Sequence, residues 1–140
     1  MTNRTQLSLA RRELAHTPVQ DAAQATTNDF VLVAGQTLKG GERDRIAFSI
    51  ENTDGANVIV ARVVGRMKSY DPDTNTEDFG EWVVCKDAAG ADISADVAVS
   101  STIALAVVDP IFDEYGVEVE SKVDDSHGAA VVHGTARSTT

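Results

Sequence analysis

Cysteine is almost missing from this sequence: Cys85 stands alone, so no intrachain disulfide can form and a thiolate metal site is disfavoured. The compartment is therefore a reducing one, or one in which disulfides are not needed. Aromatic residues make up only 5% of the chain, which leaves Trp82 as its single indole. Basic residues are scarce as well, with 12 Lys and Arg against 22 Asp and Glu and a net charge of −10. Binding to phosphate needs concentrated Lys and Arg, so the folded part is expected to contact neither nucleic acid nor an anionic membrane. No apolar run approaches the roughly 18 residues of a membrane span. The opening MTNRTQLSLARRELAH has no apolar core followed by a small-residue cleavage site, so the expectation is synthesis in the cytoplasm without export by a signal peptide. Phosphate loops, zinc spacings, dinucleotide fingerprints and a G-x-S-x-G elbow are absent too. The reading is therefore non-enzymatic, with no catalytic residues and no cofactor.

What remains is a chain of 140 residues, 42% apolar, long enough for one domain with a real core. Its apolar residues are mostly Val, Ala and Ile, and β-branched side chains suit a pleated surface better than a helix. From residue 28 onward, strand patterns recur between Gly, Asp and Asn. Phe30-Val31-Leu32-Val33 opens the series. Ile46, Phe48 and Ile50 alternate with Arg45, Ala47, Ser49 and Glu51, the period of a strand with one wet face. After a turn at Asn52-Thr53-Asp54-Gly55 a long strand covers residues 57–68, with Gly65 reading as a bulge or bend. Further strands are expected over residues 81–87, 92–98, 102–108, 115–123 and 129–137. Seven or eight such strands predict an all-β fold, an antiparallel β-sandwich of jelly-roll or immunoglobulin-like type spanning residues 28–140.

Residues 1–27 have a different character and form the expected N-terminal arm. Arg4, Arg11 and Arg12 outnumber Glu13 and Asp21. Leu7, Ala10 and Leu14 fall at helical spacing, allowing one short helix over residues 5–16 that would be marginal alone. Two readings stay open: an unordered tail, or an arm that orders on a neighbouring subunit through Leu7, Leu9, Arg11, Arg12 and Leu14.

Chemistry was sought at four places. Asp71, Asp73 and Asn75 have the spacing of the first calcium ligands of an EF-hand. Thr76, however, occupies the glycine position, and Trp82 stands where a bidentate glutamate belongs. Asp71, Asp73, Asn75, Glu77 and Asp78 are thus candidate ligands of a calcium loop, set against the plainer reading of a solvated hairpin loop. Asp124, Asp125, Ser126 and His127 offer triad residue types, but neighbours in a turn splay apart and a triad is defined by geometry. Cys85 reads as a buried inert thiol, and Trp82 as an anchor of the core.

The stretch Ile46-Ala47-Phe48-Ser49-Ile50-Glu51-Asn52-Thr53-Asp54-Gly55-Ala56-Asn57 resembles small β-sandwich structural proteins of tailed bacteriophages. The tryptophan-bearing strand Glu81-Trp82-Val83 and the late strand Tyr115-Gly116-Val117-Glu118-Val119-Glu120 extend that resemblance over about residues 44–137. The longer acidic loop at residues 70–79 and the extended arm depart from it. The resemblance implies a capsid decoration (cement) protein of the virion that binds the major capsid protein or other virion proteins and assembles as a homo-oligomer. Alternatives are a head completion, neck or tail component, or a carbohydrate- or calcium-binding β-sandwich module.

Overall fold

The computed structural model describes residues 14–41 and 43–138. Every regular element among them is a strand. In chain order these are β1 (Leu14–His16), β2 (Gln24–Ala25), β3 (Val31–Leu32), β4 (Leu38–Lys39), β5 (Arg45–Asn52), β6 (Ile59–Arg66) and β7 (Lys68–Asp71), then β8 (Thr76–Phe79), β9 (Val83–Val84), β10 (Ser94–Val97), β11 (Thr102–Val108), β12 (Glu114–Ser121) and β13 (Ala129–Arg137).

The strands form two antiparallel sheets and a separate hairpin, β7–β8. In the first sheet, β1 and β2 lie end to end along β13, followed by β5 and then β11. In the second, β3 and β4 share the outer side of β12, β6 lies on its other side, and β9 and β10 share the far side of β6. The expected all-β sandwich is what forms. Thirteen segments replace seven or eight because three outer positions are each broken in two and the β7–β8 hairpin adds two more, so the two sheets hold eight strand positions. Their alternation between sheets is the double Greek key of a jelly roll.

Alternation along the strands builds the core. Ile46, Phe48 and Ile50 of β5 meet Ile59, Ala61 and Val63 of β6 and Tyr115, Val117 and Val119 of β12, all fully buried. Tyr115 is the largest of these side chains, and its hydroxyl accepts a hydrogen bond from the Phe112 backbone at 2.8 Å. Asn52, inside the E-N-T stretch, is buried at the end of β5. It donates to the carbonyls of Asn57 (2.8 Å) and Val97 (3.1 Å) and accepts from the Asp54 amide (3.0 Å). The motif therefore joins the first sheet to the second.

Several expectations change. Gly65 makes no bulge: β6 pairs with β12 in unbroken register from Ile59↔Ser121 to Arg66↔Glu114. A Cβ at Gly65 would stand 2.6 Å from Cγ of Phe112, so the glycine makes room for a ring. Residues 70–78 do not form a plain loop, because β7 and β8 pair through Asp71↔Thr76 and Asn75 takes a positive φ of 53° at the turn. Met67 and Val123 continue the period of the buried residues of β6 and β12 but are exposed, since both lie just past those strands.

Within residues 1–27, those from Leu14 to Thr26 bond along β13 almost without interruption. β1 pairs Leu14 with Arg137, and the Thr17 and Gly134 amides donate respectively to the Gly134 carbonyl (3.0 Å) and Thr17 Oγ1 (2.9 Å). Gln20 then substitutes for backbone, donating to the Ala130 carbonyl (3.0 Å) and accepting from the Val132 amide (2.8 Å). Thr26 repeats the Thr17 arrangement against Gly128. At Leu14–His16 the chain is a strand rather than the end of a helix.

Candidate interaction surfaces

The outer face of the second sheet carries two parallel constellations. Arg62 of β6 pairs with Glu118 of β12 at 2.8 Å and lies 3.7 Å over the Phe30 ring. Four residues further on, Arg66 pairs with Glu114 at 2.8 Å and lies over two rings, Phe79 at 4.0 Å and Trp82 at 4.5 Å. Register places both acids: Arg62 faces Glu118 and Arg66 faces Glu114 across the same ladder. Each cation–π contact contributes about 0.5–1 kcal/mol at a partly exposed site. They hold the ends of the β7–β8 hairpin and of residues 28–31 against the sheet. Trp82 therefore belongs to this outer face and not to the core, where Tyr115 takes the role expected of it. The signal for these pairs lay in the sequence as a shared spacing of four, Arg62/Arg66 and Glu114/Glu118, but only the register makes them partners.

Across the sandwich, the outer face of the first sheet is built from small residues. Ala47, Ser49, Ala104 and Ala106 fill its middle, and Arg45 and Arg137 are register partners at one end. Both arginines line an open depression of about 480 Å³ together with Asp44, Asp109 and Thr135. His16 stacks on His133 at 5.5 Å and 17° between ring planes, on the seam of β1 with β13.

The five candidate calcium ligands lie on the β7–β8 hairpin, and the side chains of Asp71, Asn75, Glu77 and Asp78 are turned to local partners. Asp71 Oδ1 accepts from the Asp73 amide (2.9 Å), and Asp78 Oδ1 accepts from the Phe79 amide (2.8 Å). Asn75 Oδ1 accepts from the Tyr70 hydroxyl, and Glu77 pairs with Lys68 at 2.8 Å, raising the lysine's pKa through that bond and its charge. No three His, Cys, Asp or Glu side chains among the described residues are grouped to hold a metal ion.

His127 does meet a serine, but it is Ser121 and not Ser126: Nδ1 lies 2.8 Å from Ser121 Oγ, which also bonds Thr26 Oγ1 at 2.9 Å. Ser121 is buried, so this chain of hydroxyls ties β12, the last hairpin and the residue 26 segment together. Cys85 is buried, as expected, and burial pushes its thiol up to about 11. It lines an apolar cleft of about 250 Å³ with Val83, Val107, Ile111, Phe112 and Tyr115. Burial also raises the pKa of Tyr115.

Of the expected partner-binding residues, Leu14 opens β1 at the Arg137 corner, while Leu7, Leu9, Arg11 and Arg12 lie outside the described residues. No helix among the described residues is long and apolar enough to cross a membrane.

No family model matches the chain, and no curated protein sequence matches it. Solved structures to which the chain is similar include Bacillus endospore appendages, which form disulfide-linked pili (11% identity over 91% of each chain, TM-score 0.46). Another is Eiger TNF from S. frugiperda (9% identity, covering 91% of this chain and 92% of that one, TM-score 0.42). A third is the CBM22-1–GH10 portion of Clostridium thermocellum xylanase 10B complexed with xylohexaose (11% identity, 91% of this chain and 26% of that one, TM-score 0.35). None of these likenesses carries a functional argument.

Proposed function

We propose that the chain is a non-enzymatic structural protein of a virion, a capsid decoration protein that holds the major capsid protein through its N-terminal residues and its sandwich. The observation that carries the reading is the seam along β13: residues 14–26 are stitched into the first sheet, beginning at the Leu14–Arg137 corner. Leu7, Leu9, Arg11 and Arg12 are the side chains such an anchor offers to a partner, and an ordered attachment point lowers the entropic cost of docking them. The sequence resemblance supplies the virion context. The net charge of −10 keeps free copies apart until a specific surface is met. Other virion positions, such as a head completion, neck or tail component, share the same argument.

The test is binding of purified chain to capsid shells that lack it. Full-length protein binds; a chain without residues 1–13, folded to the same circular dichroism spectrum, does not. Equal binding by the truncated chain overturns the reading.

A second reading, a carbohydrate-binding module, is favoured by one observation, the half-exposed rings of Phe79 and Trp82 grouped around Arg66 on a sheet face. A glycan panel discriminates: binding lost in Trp82→Ala supports it, and a blank panel removes it.

A further inference from the structure

We infer that the open edge of β11 is a self-association edge, which takes β11 of a second copy antiparallel to itself.

Sheet edges present unpaired N–H and C=O groups, and soluble proteins guard them with short strands, charge, proline or cover. The other outer positions here follow that rule. β1 has three residues, β2, β3, β4 and β9 have two each, and β10 has four and carries Asp96, bridged to Lys122 at 3.2 Å. β11 breaks it. Its seven residues, Thr-Ile-Ala-Leu-Ala-Val-Val, hold no charge and no proline, in a chain that is 24% charged. Among the described strands it pairs with β5 alone. Ile103 and Leu105, which point toward the core, stay only half-buried because no described strand closes the sandwich beside them.

The ladder shows which groups are free. The Asn52 amide donates to the Ser101 carbonyl at 2.9 Å, and bonded pairs alternate along an antiparallel ladder. Ile103, Leu105 and Val107 therefore bond to β5, while Thr102, Ala104 and Ala106 direct their backbone groups outward. The side chains of these three are small and exposed on the outer face, so a strand can approach without obstruction.

Charge selects the occupant. The outer face of the first sheet is polarised along β5, with Arg45 level with Val108 at one end and Glu51 level with Thr102 at the other. A second copy laid antiparallel sets each arginine end against the partner's glutamate end, while a parallel arrangement would set like against like. Centred on Leu105, such pairing puts Ala104 opposite the partner's Ala106.

The inference deepens the assembly reading and rests on it only for its biological use. Edge variants leave residues 1–13 intact, so failure here and failure of capsid binding are separate results. Ala104→Pro removes an outward amide while leaving the β5 ladder whole. Ala104→Lys with Ala106→Lys gathers four ammonium groups at the centre of the pair without touching the core.

Sedimentation equilibrium of the full chain gives twice the monomer mass of 14.8 kDa, and each variant gives the monomer mass. Amide exchange at Thr102, Ala104 and Ala106 slows as the wild-type concentration rises and stays fast in the lysine variant. A wild-type chain that remains monomeric to about 1 mM, where association is worth no more than about 4 kcal/mol, overturns the inference. So does a dimer that survives both variants, or protection of these amides that appears only when a different protein is added.

Discussion

Leu14 is the register partner of Arg137, and that pairing relocates the beginning of the folded domain. Deleting residues 1–13 leaves every described strand along β13 in place. Deleting residues 1–27 removes both strands along β13 and the bonds of Thr17, Gln20 and Thr26. It also opens the sheet over Ala130 and Ala136. Each lost bond costs about 0.5–1.5 kcal/mol, so the longer deletion destabilises by several kcal/mol. Urea denaturation of both chains checks this; equal midpoints would contradict it.

Asn52 is a second load point. Asn52→Ala leaves the Asn57 and Val97 carbonyls and the Asp54 amide without their partner. A buried group left unsatisfied costs about 1–3 kcal/mol, so the expected loss is at least about 2 kcal/mol, read from the denaturation midpoint at unchanged slope. A loss below about 0.5 kcal/mol, the range of ordinary surface changes, would show that water replaces these bonds.

Gly65 and Phe112 form a coupled pair. Gly65→Ala forces the ring aside, at about 1–3 kcal/mol for overpacking. With Phe112→Leu already present the same substitution costs less. A double-mutant cycle with no coupling energy would place the cause elsewhere.

Much of this architecture was legible in the sequence. Ile46, Phe48 and Ile50 announced β5 by strict alternation, and Tyr115, Val117 and Val119 announced β12 in the same way. What failed was whatever depends on partners far along the chain. Residues 14–26 carry little strand propensity, because Thr17, Gln20 and Thr26 are held by side-chain bonds to β13, more than a hundred residues away. Trp82 was misassigned because size suggests a core, whereas its place is set by Arg66. On the β7–β8 hairpin, spacing alone records neither the Asx turn at Asp71 nor the Lys68–Glu77 pair.

Cys85 makes the fold sensitive to alkali. Its thiol is neutral in the folded chain up to about pH 11, against an ordinary value of 9.0. Between those values the unfolded chain releases a proton that the folded chain keeps, so stability present below pH 9 falls as pH rises toward 11. The thermal midpoint of the wild type should decline over that window more steeply than that of Cys85→Ala. Parallel profiles would contradict the assignment. Thiol reagents at pH 8 should label Cys85 only after unfolding.

The central claim is that this jelly roll serves an assembled virion shell. Its most direct test is quantitative composition of purified particles from the source that encodes the chain, together with particles assembled when the chain carries the residue 1–13 deletion. The account predicts the full-length chain in a fixed ratio to the major capsid protein and its loss from the particle on deletion. Particles of unchanged composition, or particles from which the full-length chain is absent, would contradict it.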